Sequence, residues 1–204
     1  VSWAGFHLAR LTQDEAGLAR HATPQPALLQ ELQDLRVALV GNARGLAEGT
    51  QGSEIDAHDL VIRINRAPMP AARSHGSRTD WVALGIPLKA GDRARLAPER
   101  TLWMPWKRRR LDRRTAEGAG FYLHPRADVA ALQARLGAKP TTGALVIDLL
   151  LKGRLKALDL YGFDFFASRS LSGSRGAGDV PHDFAAEAAW VAEKIAADPR
   201  LRLR

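Results

Sequence analysis

VALVGNARGLAEGTQGSEIDAHDLVIRINRAP, residues 37–68, holds two apolar runs that each close on an asparagine. VALVG at 37–41 runs into Asn42, and LVIRI at 60–64 runs into Asn65. Apart from Arg63 both runs are continuously apolar rather than alternating. Strands of that kind are covered on both faces, as in a mostly parallel sheet flanked by helices. The stretch therefore predicts an α/β fold, and it leaves open why the same side chain ends both strands.

Outward from it the pattern repeats. WVALG (81–85), TLWMPW (101–106), FYLH (121–124) and ALDLYGF (157–163) read as further strands. Helical patterns cover 127–137, 143–153 and 183–198, with Gly153 marking one helix end and Asp198-Pro199 stopping the last. Residues 1–33 read as an amphipathic helical extension in two pieces, broken at HATPQP (21–26), and 34–204 as the main domain. No internal repeat is present. ASRSLSGSRGAGD (167–179) is Gly- and Ser-rich and reads as a mobile loop.

At 204 residues, 46% of them hydrophobic and 25% charged, the chain is of globular composition and can bury one sizeable core. It has no cysteine, which excludes disulfides and zinc–thiolate sites and fits a reducing compartment. No apolar run approaches the length of a membrane span, and the first residues lack the layout of a signal peptide. The expected location is cytoplasmic, with peripheral contact at the inner face of the membrane. A net charge of +8, carried mainly by arginine, favours anionic partners.

Three local patterns can carry chemistry. Gly41-Asn42-Ala43-Arg44-Gly45 comes after the first strand, where ligands bind in open α/β sheets, yet it is neither a dinucleotide fingerprint nor a P-loop. Thr141-Thr142-Gly143 opens an apolar helix, either as a plain cap or as a cradle for a phosphate or ribose oxygen. His182 comes after the Gly/Ser-rich loop and opens the last helix, either as a surface residue or as a general base near neutral pH. Glu187 stands five residues on, about 500° around a helix, so it can hold the loop or cap the helix rather than polarise the histidine.

In their order these patterns resemble the motifs of the sialyltransferases of glycosyltransferase family 29. Gly41-Asn42, the segment Gly52 to Asp59 with Glu54, Ile55, Asp56 and His58, and Arg63 to Pro68 with Asn65 are similar to the family's long motif. Gly76-Ser77-Arg78-Thr79-Asp80 is similar to the family's segment just after that motif. Pro140-Thr141-Thr142-Gly143 through Tyr161-Gly162-Phe163 resembles the short motif, and His182 with Glu187 the very short one. The resemblance implies a single Rossmann-like, variant GT-A-type domain that transfers sialic acid or a related ulosonic acid such as Kdo from a CMP-activated donor. The acceptor would be a glycan or glycolipid hydroxyl, the transfer inverting, and no metal or other cofactor required. It implies that Gly41, Asn42, Ala43 and Asn65 lie at the phosphate and ribose. Thr141, Thr142 and Gly143 would help hold the nucleotide, Tyr161, Gly162 and Phe163 would border the cytidine, and His182 would be the base.

The chain departs from the family in lacking the paired cysteines of animal members and any histidine in 164–181, where Arg169 or Arg175 could take over a phosphate contact. The absence of any Asp-x-Asp agrees with metal-independent transfer. The basic run 107–114 behind Trp103 and Trp106 allows three readings: a nucleic-acid patch, a dock for an anionic membrane or phosphorylated glycolipid, or a solvated face over core tryptophans. Nucleic-acid binding is the rival class, and a CMP-binding homologue without turnover a third reading.

Overall fold

The structure is a computed structural model and describes residues 3–164 and 182–204. Strands β1 (Arg36–Val40), β2 (Leu60–Ile64), β3 (Trp81–Leu84), β4 (Arg100–Trp103), β5 (Tyr122–Leu123), β6 (Ala157–Tyr161) and β7 (Leu201–Leu203) form one sheet in the order β5-β4-β3-β2-β1-β6-β7. Every neighbouring pair is parallel. In β1, Val37 faces Leu60 of β2 on one side and Leu158 of β6 on the other. The chain builds outward from β1 to β5, then returns to the far side of β1. That reversal between β1 and β6 is the switch point at which such sheets bind ligands.

Alternate residues of each strand go to opposite faces, and both faces are covered. Leu39, Ile62, Ala83 and Leu160 pack against α8 (Arg126–Leu136), α9 (Thr142–Leu151) and α10 (Phe184–Ala197) through Leu132, Val146 and Trp190. Their neighbours Ala38, Val40 and Val61 meet Ile55 of α4 (Gly52–Asp56), while Val82, Leu84 and Trp103 form a third cluster. This two-sided burial is the α/β arrangement that the apolar runs at 37–41 and 60–64 predict.

The N-terminal region forms three helices rather than two: α1 (Trp3–Thr12), α2 (Glu15–Ala19) and α3 (Gln25–Glu31). Asp14 starts α2 by accepting from the Gly17 N–H, a local cap that divides the first amphipathic piece. Phe6 and Leu18 pack with Trp103, and Leu28 and Leu32 join the main core, so these helices share the sheet's own clusters. No helix among the described residues is long and apolar enough to cross a membrane. The reading of 167–179 as a mobile loop, and of Arg169 and Arg175 as phosphate contacts, lies outside the described residues.

Candidate active site

Beyond β1 and β6 the chain ends are stitched together. Gly41 N–H donates to Tyr161 O at 2.7 Å and Ala43 N–H to Gly162 O at 3.0 Å. A side chain at Gly41 would place its Cβ 2.4 Å from Gly162 O and 3.2 Å from the Phe163 ring. At Gly143, at the start of α9, a Cβ would come within 2.9 Å of the same ring. Phe163 therefore seats its ring between two glycines, from β1's end and α9's start, and Gly162 turns the chain towards it with φ +66°.

The two asparagines act one strand over. Asn42 Nδ2 donates to Ile64 O at 3.1 Å, tying the end of β1 to that of β2. Asn65 sits in the left-handed region at φ +55°, which asparagine tolerates better than most residues. Its Oδ1 accepts from the Gly85 N–H at 2.7 Å, tying the end of β2 to the chain beyond β3. That bond fixes the carboxamide's orientation and turns Nδ2 into the end available to a ligand. Gly85 must be bare, since a Cβ there would lie 2.5 Å from Thr142 Oγ1.

Thr141 caps α9 by accepting from the Ala144 N–H at 3.1 Å. The carboxylate of Glu187, on α10, accepts from Thr141 N at 2.6 Å and from Thr141 Oγ1 at 2.8 Å. Glu187 is buried, and burial raises its pKa above the usual value although both Thr141 bonds pull the other way. His182 is oriented from the same segment, its Nδ1 lying 2.7 Å from Lys139 O. A carbonyl can only accept, so the proton sits on Nδ1 and the neutral ring keeps its lone pair on Nε2.

A cleft of about 390 Å³ opens beyond the ends of β2, β3 and β4 and brings Asn65, Thr142 and His182 to one wall. Gly41, Asn42, Ala43, Gly162 and Phe163 stand at the adjoining β1–β6 ends rather than in that wall, and Thr141 and Gly143 support it from within α9's first turn. Tyr161 is not brought to the cleft. Its ring is fully buried on the opposite face of the sheet, edge-on to His58 at 5.8 Å. Two other histidines are spent elsewhere: His58 holds Asp159 at 2.8 Å, and His124 is buried with its pKa pushed down to about 4 by desolvation. Among the described residues no group of three His, Cys, Asp or Glu could hold a metal ion. Sequence reasoning missed the Lys139 carbonyl, which no side-chain pattern marks, whereas Trp106, Lys107 and Arg110 of the rim belong to the basic run and its tryptophans singled out above.

Residues 7–86, which include both asparagines, match the model of glycosyltransferase family 29 (sialyltransferase). The CMP-N-acetylneuraminate-beta-galactosamide-alpha-2,3-sialyltransferase 1 of Mus musculus is 47% identical over 45 residues, and that of Homo sapiens 54% over 33. Over residues 7–86 the chain is similar to the sialyltransferases. The matched segments are short, 22% and 16% of this chain and 13% and 10% of those two proteins. Sialyltransferase structures extend the likeness of fold over most of the chain. A mammalian sialyltransferase in complex with Gal-beta-1-3GalNAc-ortho-nitrophenol superposes with a TM-score of 0.64 at 21% identity, covering 92% of this chain and 76% of its own. The sialyltransferase CstII from Campylobacter jejuni, in complex with the substrate analogue CMP-3FNeuAc, superposes at 0.51 and 13%, covering 83% and 78%.

Proposed function

We propose that the protein is a CMP-sugar-dependent glycosyltransferase that moves sialic acid or a related ulosonic acid onto a glycan hydroxyl, with inversion and without a metal. The observation that carries this is one wall of one cleft: Asn65, Thr142 and His182, 117 residues apart from first to last, come from three different motif segments and converge there. In this reading the nucleotide lies over the β1–β6 switch point, with Asn42, Gly162 and Phe163 beside it. The Asn65 amide and the Thr142 hydroxyl meet the phosphate and ribose. His182 Nε2, its tautomer set by Lys139 O, takes the proton of the acceptor hydroxyl as that oxygen attacks the anomeric carbon and CMP departs on the opposite face. Such a base contributes about 10²–10⁴ in rate.

The test is a panel of nucleotides and CMP-sugars, read by thermal shift and by CMP release in the presence and absence of EDTA. CMP should stabilise the fold more than AMP, GMP or UMP, by about 2.7 kcal/mol at 100 times its dissociation constant. CMP release from a CMP-ulosonic acid should survive chelation. Equal shifts with every nucleotide would overturn the donor assignment, and activity lost to EDTA and restored by magnesium would overturn the metal-free chemistry.

A further inference from the structure

The cleft that holds Asn65, Thr142 and His182 is also strongly basic. Its lining includes Arg66, Lys107, Arg110 and Lys139. Among the described residues no carboxylate lines it, and none of these four cations has an ion-pair partner, although their neighbour Arg108 is bonded to Glu15. Trp106 stands among them as a residue 58% exposed, and the guanidinium of Arg126 lies 5.7 Å from its ring centroid. That guanidinium is itself held by Trp106 O at 3.3 Å and Gln13 Oε1 at 2.7 Å, so the aromatic ring has a fixed support.

Position separates this rim from the donor. Asn65, proposed for the phosphate, comes after β2, whereas Trp106, Lys107 and Arg110 come after β4, two strands away. Two strand spacings come to about 10 Å, beyond the screening length of about 8 Å at physiological salt. Charges there act only weakly on a phosphate held by Asn65 and Thr142. They act on whatever enters beside it.

Resting on the proposed transfer reaction, we infer that the acceptor is an acidic glycan, whose sugar ring lies on Trp106 and whose negative group is held by Lys107 and Arg110. An amphipathic ring suits the apolar face of a sugar, and an arginine–lysine pair without competing carboxylates suits a phosphate ester or a carboxylate.

Three acceptors with the same terminal galactose separate the alternatives: lactose, lactose 1-phosphate and lactobionate. With a CMP-ulosonic acid as donor, kcat/KM for the charged acceptors should exceed that for lactose by about tenfold at low ionic strength, and the advantage should shrink as salt is added. In Lys107→Gln/Arg110→Gln the ratio of charged to neutral acceptor should fall to within about twofold. A variant that merely folds poorly lowers all three together and leaves the ratio unchanged, which would overturn the inference. So would a wild-type protein that uses lactose as well as the other two. Preference for lactose 1-phosphate alone assigns a phosphate ester, and equal use of both assigns charge in general. If no CMP is released from any donor, the transfer reading fails. The acceptor inference is then decided by titrating the same sugars in the presence of CMP, followed by tryptophan fluorescence: tighter binding of the charged sugars that the double variant abolishes supports it, and equal binding overturns it.

Discussion

Asn65 has two tasks that its neighbours cannot share, a left-handed backbone and a carboxamide divided between the fold and the cleft. Asn65→Ala strands the Gly85 N–H, at about 1–3 kcal/mol, and keeps the left-handed backbone without the short polar side chain that makes it tolerable, part of a penalty of about 1–2 kcal/mol. Asn65→Gly keeps the backbone and loses only the carboxamide. Both should weaken CMP binding, and alanine should lower the melting point more than glycine; denaturation curves beside CMP titrations check this. His182→Ala should reduce kcat by about 10²–10⁴ with a small change in CMP affinity. His182→Asn can still donate to Lys139 O but cannot take a proton, so steady-state transfer should stay low. The asparagines were legible in the sequence because each closes an apolar run, and the groups they hold were not. Asn42 bonds Ile64 O and Asn65 bonds Gly85 N, contacts 22 and 20 residues away that depend on the parallel register. Tyr161 shows the same limit. A one-residue alternation along β6 sends its ring to the face opposite α9 while Gly162 and Phe163 reach the strand ends.

Between α9 and α10 the decisive contact is Glu187 on Thr141, which joins the cap of one helix to the first turn of the next. Because burial raises the folded pKa of Glu187, the folded protein binds a proton there that the unfolded chain has already lost. Wild-type stability relative to Glu187→Gln should therefore fall as pH rises from the ordinary glutamate value of 4.5 and level off once the folded carboxyl has ionised. Urea denaturation of the two proteins across that range measures it, and parallel pH profiles would argue against a buried titrating group. The spacing of His182 and Glu187 already indicated separate duties, and the structure gives Glu187 the helix junction rather than the imidazole. Long elements were legible in the same way: LVIRI is β2 without adjustment, and α8, α9 and α10 fall within two residues of their patterns. Short ones were not. The helices α4, α5 (Ala72–His75), α6 (Ala90–Leu96) and α7 (Arg113–Ala116) run four to seven residues, too few for a 3.6-residue period to show. β7, with two of its three residues exposed, has no apolar run to read.

Across the whole molecule the N-terminal helices are bound to the basic run that borders the cleft. Arg108, fully buried, reaches Glu15 of α2 through Nε at 2.8 Å and the carbonyls of Pro105 at 2.7 Å and His124 at 2.5 Å. Glu15→Ala leaves that guanidinium two carbonyls and no counter-charge. A fully buried pair broken on one side costs about 3–5 kcal/mol; with Glu15 37% exposed, water makes up part of the loss and about 2–3 kcal/mol is expected. Thermal melts check the size, and loss of acceptor binding alongside would show that α2 also steadies Trp106. The run Lys107 to Arg114 thus divides by residue: Arg108 is structural, while Lys107 and Arg110 reach the cleft. Both margins of the sheet, finally, are very short, two residues in β5 and three in β7, and β7 is tethered by Arg202 and Arg204 to the buried Asp159 of β6 at 2.8 Å each. That small strand covers ALDLY, five buried residues in a row. Without it they would present an unpaired backbone edge on which a second copy could template, so the two arginines that tether it serve as a guard against aggregation.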